Sequence, residues 1–346
     1  MASSFPPRIA WGILATGRIA AAFARGVADS QSGRLAAVGS RSLGSAERFA
    51  AAHGVPRAHG SYEALLADPQ VQAVYLATPH PQHVEWAVRA AEAGKHVLCE
   101  KPIGLNLAEA QRIQAAACAA GVTLMEAWMY RCHPQTQQMV DLLRGGAIGC
   151  LRHVQASFSY NEPFNAQSRT WNYELAGGGI LDVGGYPLSY ARLLAGVAHE
   201  KPFLDPETLM AVGHLHPQTG VDVHTAAVAR FAGDITAELF TGVGVHQEQV
   251  VRVYGTDGWI EVPTPYVIAP RPEPTRLHLY RGGEAPEEIV VEPDRGLYAY
   301  EADAFGVAVR RGAAEVPACT WADTLGNMRW LDHWRRQLGL VYAVEK

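Results

Sequence analysis

"HVLCEKPIGLN", residues 96–106, sets an acid, a lysine and a proline at the end of a short apolar run. Residues 96–99 read as the end of a buried strand. Charges near a core cost free energy unless they are paired or used. Pro102 restrains Lys101 to an extended or turn backbone and stops the strand. In a parallel sheet, a lysine fixed at the carboxyl end of a strand stands where ligands bind. A surface strand end with an ion pair is the competing reading, and the flanking sequence decides between them.

Upstream, strand-like runs at 8–14, 35–39 and 71–77 alternate with helical spacing at 18–29, 45–53, 62–66 and 82–93. Downstream, an Ala-rich helix at 107–120 stops at Gly121 and leads into a strand at 122–128. Short connections between alternating strands and helices predict a parallel sheet covered on both faces. After Trp128 the texture changes. A helix at 135–143 is followed by β-branched and aromatic runs at 151–160, 223–231, 236–242, 248–254, 259–261 and 275–280, a mainly antiparallel sheet. Helical runs at 181–194 and 322–338 accompany it, with loops at 202–206 and 263–274. The fold class is therefore α/β, a Rossmann-type parallel sheet and then an α/β domain on a large open sheet. The division falls near Glu126, giving domains 1–126 and 127–346, the last helix able to pack back on the first.

The 346 residues are 48% apolar, enough to fill two cores, and the net charge of -5 offers nucleic acid no basic surface. Five scattered cysteines with no CxxC read as free thiols in a reducing compartment. The opening "MASSFPPRIAWGILATG" does not read as a signal peptide, and no run is long and apolar enough for a membrane span. A cytoplasmic enzyme or binding protein is expected.

"ILATGRIA", residues 13–20, runs from the first strand into a helix. Ala15, Gly17 and Ala20 stand at the small positions of a dinucleotide turn, with alanine replacing the usual first glycine. Ala15, Thr16, Gly17, Arg18 and Ile19 then face cofactor phosphates at the helix end. The second strand ends in Ser40-Arg41 where NAD-selective sites carry an acid. A hydroxyl and a guanidinium suit a 2'-phosphate, so NADP is favoured, with NAD the alternative. "ATPHPQH", residues 77–83, closes another strand and brings Thr78, Pro79, His80 and His83 toward the cofactor, as the strand end at 96–101 brings Glu100 and Lys101. His80 and His83 lack a third ligand at metal-binding spacing, and no metal site is expected.

"LAGGGILDVGGYPLSYARLL", residues 175–194, places three glycines before an amphipathic helix. Asp182 and Tyr186 are four apart and share a helix face. Gly184 and Gly185 remove bulk for a close approach of backbone or ligand. A helix cap and a core tyrosine would explain the same pattern without a site.

Together these stretches resemble the glucose–fructose oxidoreductase / inositol dehydrogenase (Gfo/Idh/MocA) family. The features that match in order are the turn at 15–20, Glu100-Lys101-Pro102, "EAWMYRCHP" at 126–134 and "GGGILDVGGYP" at 177–187, with "RRQLGL" near the end. Tyr186, standing where many relatives have histidine, and the opening "WGIL" point to the branch of dimeric dihydrodiol dehydrogenase and NADP-dependent D-xylose dehydrogenase. His80 stands where asparagine is frequent. The resemblance implies an NAD(P)-dependent dehydrogenase or reductase acting on a sugar or cyclic diol, in a homodimer built on the open sheet. It implies that Lys101 is catalytic and that Asp182 and Tyr186 face the substrate, with Trp128, Arg131, Arg169 and Trp171 around it. An ammonium beside Tyr186 would lower the phenol's pKa and let it act as base, or Lys101 itself would move the proton with Tyr186 positioning the hydroxyl. A keto- or anhydro-sugar reductase, a polyol dehydrogenase and a non-catalytic NADP-binding regulator are the rival readings.

Overall fold

A computed structural model describes residues 8–267, 271–283 and 285–345. Part of the opening segment and residues 268–270 of the expected loop at 263–274 lie outside the described residues. The first sheet has six parallel strands: β1 (Ile9–Leu14), β2 (Gly33–Gly39), β3 (Ala58–His59), β4 (Ala73–Leu76), β5 (His96–Glu100) and β6 (Leu124–Ala127). Between them run α1 (Arg18–Asp29), α2 (Leu43–His53), α3 (Tyr62–Leu66), α4 (His83–Glu92) and α5 (Leu107–Ala120). The helix ends obey local rules. Gly54 and Gly121 terminate α2 and α5 in the left-handed conformation, and the Asn106 side chain accepts from Glu109 N to open α5. Strand order β3-β2-β1-β4-β5-β6 reverses direction between β1 and β4, which opens a crevice at the strands' carboxyl ends.

α6 (Pro134–Arg144) leads into an eight-stranded sheet of order β14-β13-β12-β11-β7-β10-β9-β8. Its strands are β7 (Leu151–Ser159), β8 (Thr208–Leu215), β9 (Asp222–Phe231), β10 (Ile235–Gly242), β11 (Val250–Gly255), β12 (Trp259–Val262), β13 (Thr275–Tyr280) and β14 (Glu287–Val291). The pairing of β7 with β10 is parallel and the other pairings are antiparallel. α7 (Gly185–Ala198) and α9 (Trp321–Gln337) cover one face. The helix expected at 181–194 is in fact a π turn, Ile180–Gly184, followed by α7.

Sequence spacing missed the two-residue β3 and also β8, β14 and α8 (Leu297–Arg310). α8 interleaves alanines with Tyr298, Tyr300, Phe305, Val307 and Val309 and contains Gly306, which dilutes its helical signal. Tertiary contact decides there. A side chain at Gly306 would come within 2.5 Å of the Ser32 hydroxyl, and one at Gly26 would meet Tyr298 Cβ at 2.4 Å, so these glycines let α8 lie against the first sheet's layer. Asp303 accepts from Ser32 N at 2.7 Å, and the indole of Trp321 donates to Leu124 O at 3.2 Å. The chain's last stretch thus returns to the first sheet. All five cysteines are free, and among the described residues no helix is long and apolar enough to cross a membrane.

Candidate active site

A cleft of about 660 Å³ lies at the carboxyl ends of the first sheet, closed on its far side by the segment before α7 and by the end of β7. Ala15, Thr16, Gly17, Arg18, Ile19, Ser40, Arg41, Thr78, Pro79, His80, His83, Glu100, Lys101, Arg169, Asp182 and Tyr186 all line it.

Ala15 takes a left-handed φ of 84°, doing the conformational work of the glycine it replaces. Gly17 caps α1 with no side chain bonded to the first-turn N–H groups, and a Cβ there would meet nothing within 4 Å. The positive helix end therefore faces open space. Buried Thr78 leaves its Oγ1 without a partner. His80 is buried too, and burial first, then the Arg169 guanidinium, holds its ring well below the usual histidine pKa. The neutral ring accepts from Arg169 Nη1 through Nε2 at 3.4 Å, so Nδ1 carries the proton and has no partner. Free donors at a helix end and orphaned buried polar atoms are the set a dinucleotide would satisfy.

His83 lines the cleft, but its ring is committed to the protein. Nδ1 faces Pro102 O and Nε2 faces Thr78 O, each at 2.8 Å, so it joins the ends of β4 and β5. Among the described residues no three metal-ligating side chains cluster.

β5 delivers Glu100 and Lys101, and the Lys101–Pro102 peptide is cis. The Glu100 carboxylate is buried and takes hydrogen bonds from the Tyr75 hydroxyl and from Lys101 N. Burial pushes its pKa up. Lys101 reaches across the cleft, its Nζ 2.5 Å from Asp182 O and 3.7 Å from Asp182 Oδ1. Arg169 Nη2 donates to the same carboxylate at 2.8 Å, and the Tyr160 hydroxyl donates to its other oxygen. Burial alone would raise the Asp182 pKa; Lys101, Arg169 and the Tyr160 bond outweigh it and hold the carboxyl well below the ordinary range.

Tyr186 corrects one expectation. Burial pushes its phenol well above the usual value, and Tyr298, Glu100 and Asp182 add to the shift. Lys101 Nζ sits over the ring face, 5.2 Å from its centroid, and the hydroxyl touches Met129 Sδ at 3.5 Å. The phenolate is disfavoured and Tyr186 keeps its proton.

Three expected pocket residues do not line the cleft. Trp128 packs behind Tyr186, edge to ring at 4.9 Å, and its indole occupies the space a Cβ at Gly185 would need. Gly184 likewise makes room for Thr241, so this glycine pair admits protein side chains, with no ligand involved. Arg131 is buried against Asp323 at 2.7 Å and Ser189 Oγ at 3.1 Å. Trp171 belongs to a separate apolar cluster with Val221, Val223 and Val243.

Sequence reasoning missed Tyr62, Ala77, Gln82, Met129, Phe158, Val183, Val267 and Tyr298 in the lining. Tyr298 sits on the unrecognised α8; Ala77, Gln82, Met129 and Val183 lie within the quoted motifs but carry no charge, and Tyr62, Phe158 and Val267 lie outside them. It also missed Asp222 at the start of β9. That carboxylate is fully buried beneath the glycine triplet and accepts from Ile180 N at 2.7 Å, two residues before Asp182.

Residues 9–128 match the model of the oxidoreductase family with an NAD-binding Rossmann fold, GFO_IDH_MocA, and residues 136–261 match the GFO/IDH/MocA C-terminal domain. The chain is 33% identical to D-xylose 1-dehydrogenase (NADP(+)) 2 of Haloferax volcanii, over 93% of this chain and 95% of the relative. It is 30% identical to mouse (Mus musculus) trans-1,2-dihydrobenzene-1,2-diol dehydrogenase, over 97% and 98%. Among solved structures, a 3-ketoreductase from Actinomadura kijaniata in complex with NADP and TDP-benzene superposes with a TM-score of 0.84 at 29% identity, covering 96% of this chain and 98% of the other. With both sheets, the cleft between them and these matches in agreement, the chain belongs to the GFO/IDH/MocA oxidoreductase family.

Proposed function

We propose that the cleft transfers a hydride between NADP and a carbon bearing a hydroxyl on a sugar or cyclic diol, an aldopyranose C1 or a dihydrodiol. The observation that carries this reading is the convergence of Lys101, reaching across from β5, with Asp182 and Tyr186 in a cleft that begins at the uncapped end of α1. Bound nicotinamide would supply the hydride acceptor or donor. Ala15 to Ile19 would hold the diphosphate, Thr78 and His80 would offer their orphaned polar atoms, and Ser40 with Arg41 would take the 2'-phosphate. The NADP-dependent xylose dehydrogenase and the ketoreductase solved with NADP, to which the chain is similar, support that choice.

At the far wall, Asp182 stays ionised and fixes the Lys101 ammonium through its backbone oxygen and carboxylate. Lys101 exchanges a proton with the substrate oxygen, and protonated Tyr186 donates a hydrogen bond to that oxygen. Arg169, 40% exposed in its side chain, reaches the sugar hydroxyls at the mouth. Residues 1–126 form the nucleotide-binding domain and 127–346 the substrate and dimerisation domain of a cytoplasmic homodimer. The dimer reading is supported by the uncovered sheet face, where Met210 and Val228 lie directly opposite each other with Val212 nearby, at 69%, 58% and 75% exposure.

Initial rates with NADP and NAD across D-xylose, D-glucose, other aldoses, myo-inositol and a benzene dihydrodiol test the reading. NADP-linked oxidation of one of them is expected. Lys101→Ala should lower kcat by about 10³-fold, with NADP affinity by fluorescence titration within about threefold. Tight NADP binding with no turnover anywhere on the panel would overturn catalysis on these substrates. Normal turnover by Lys101→Ala would overturn the assignment of the lysine.

A further inference from the structure

The loops that carry Lys101 and Asp182 meet twice, once in the cleft and once behind it. We propose that Arg335 and residues 338–345 form a positioning brace that fixes the Lys101 loop against the Asp182 segment. The inference rests on the reading of Lys101 and Asp182 given above.

Leu105, Ala176, Leu181, Leu340 and Tyr342 form a small buried cluster of their own, separate from the main core. Leu105 follows Lys101 by four residues, and Leu181 adjoins Asp182. Ala176 opens the glycine triplet. The other two members come from residues 338–345, and Tyr173 and Leu215 pack against the cluster from outside, so it joins the two site segments to that stretch.

Polar contacts repeat the pattern. Tyr342 is fully buried, and its hydroxyl donates to Gly177 O at 2.5 Å. Arg335, with 4% of its side chain exposed, donates to Leu105 O at 3.0 Å. Its guanidinium also binds Asp332 and Glu345, each at 2.7 Å, and stands 5.1 Å from the Tyr342 ring centroid. Glu345 accepts from Tyr342 N at 2.9 Å and from the Asn106 side chain at 3.0 Å. One contact set thus runs from Leu105 and Asn106, through Arg335, Glu345 and Tyr342, to Gly177.

Neither site segment is held by strand pairing. Residues 101–106 are irregular, and 176–184 comprise the glycine triplet and a π turn. Strand pairing ends at Glu100, and the Asp182 segment is tied to the second sheet through the Asp222 and Thr241 side chains, so sheet hydrogen bonds alone do not set the Lys101–Asp182 spacing, while a misplacement of about 1 Å can cost about 10²-fold in rate. Arg335, Leu340, Tyr342 and Glu345 do not line the cleft, so they act through the loops they hold.

Tyr342→Phe tests the brace, because it keeps the ring in its cluster and removes the bond to Gly177 O. Glu345→Gln is the second variant and loosens Arg335 without emptying the cluster. Amide exchange, NADP affinity, kcat and KM are measured for both. Exchange should quicken at 103–106 and at 177–183 and stay unchanged over α1. The kcat should fall about tenfold, with KM and NADP affinity within about twofold. Faster exchange confined to 335–345, or an unchanged kcat in both variants, would overturn the proposal. Should the parent chain turn over no substrate on the panel, exchange at the two distant segments still decides the brace, and the functional reading falls by itself.

Discussion

Two segments of this chain share a description, small residues running into a helix, and have opposite physical content. At the first, Ala15 to Ala20, a side chain at Gly17 would meet nothing within 4 Å, and the first turn of α1 has no side-chain cap. At the second, Gly177 to Gly179, added Cβ atoms would strike Thr170 O at 2.4 Å, Asp222 Oδ1 at 2.2 Å and Gly242 Cα at 2.9 Å. The first turn leaves room for a ligand. In the second the room is filled by protein, and Asp222 takes the place an anion would have, accepting from Ile180 N. Small residues before a helix report a close approach and do not say what approaches.

Substitutions at the two segments should therefore fail differently. Gly178 has φ 106°, and its neighbour is a buried carboxylate that cannot retreat to solvent. Gly178→Ala should destabilise by about 3 kcal/mol or more, since strain and overpacking act together. A thermal melt should show the largest loss of the set. Gly17→Ala, at φ -77°, should melt with the parent and lose about tenfold in NADP affinity through crowding of the phosphate site. Equal melts for the two variants would erase the distinction.

The carboxylates sharpen the same contrast through pH. Asp182 is held low, so its contribution to stability is present above an unfolded value of 3.8 and fades below it. Asp222 is pushed up to about 7, chiefly by burial, with Ile180 N and Arg335 opposing the rise. The native state then keeps a proton that the unfolded chain releases, so stability from this group is full below pH 3.8 and is lost as pH rises toward 7. Buried His80, His83 and His133 have lowered pKa values and contribute the opposite slope, so the comparison is variant against parent at each pH. The Tm of Asp222→Asn minus that of the parent should climb between pH 5 and 8, by an amount equivalent to about 2 kcal/mol, and level off above. A difference independent of pH would mean that Asp222 is already ionised at pH 5.

This contrast also explains what the sequence could disclose. Lys101 was legible because a charge and a proline at the end of an apolar run are a local conflict, and the alternation around them fixed the sheet that gives the position meaning. Asp182 and Tyr186 were legible as a pair by spacing. The partners that set their chemistry were not. Tyr160, which bonds Asp182, and Tyr298, which adds to the rise of the Tyr186 pKa, come from the end of β7 and from α8, and α8 owes its place to contacts at Gly26 and Gly306 that no periodicity records. Trp128, Arg131 and Trp171 were misplaced for the complementary reason. An aromatic ring or a guanidinium near a site in sequence is equally suited to packing behind it, and Arg131 is buried against Asp323.

The smallest effect concerns Ala15, the residue that departs from the usual glycine. Its φ of 84° costs an alanine roughly 1–2 kcal/mol relative to right-handed backbone. Glycine would remove that cost but adds freedom to the unfolded chain worth roughly 0.4–1 kcal/mol. Ala15→Gly should therefore gain about 0.5–1 kcal/mol, a rise in Tm of about 1–3 °C. The Ala15 N–H bond to Gly39 O at 3.0 Å is available to either residue, so turn geometry and NADP affinity should be preserved. A fall in Tm would show that the methyl group is packed against the protein. The first turn would then be partly filled, as the second is, and its openness would begin only at Gly17.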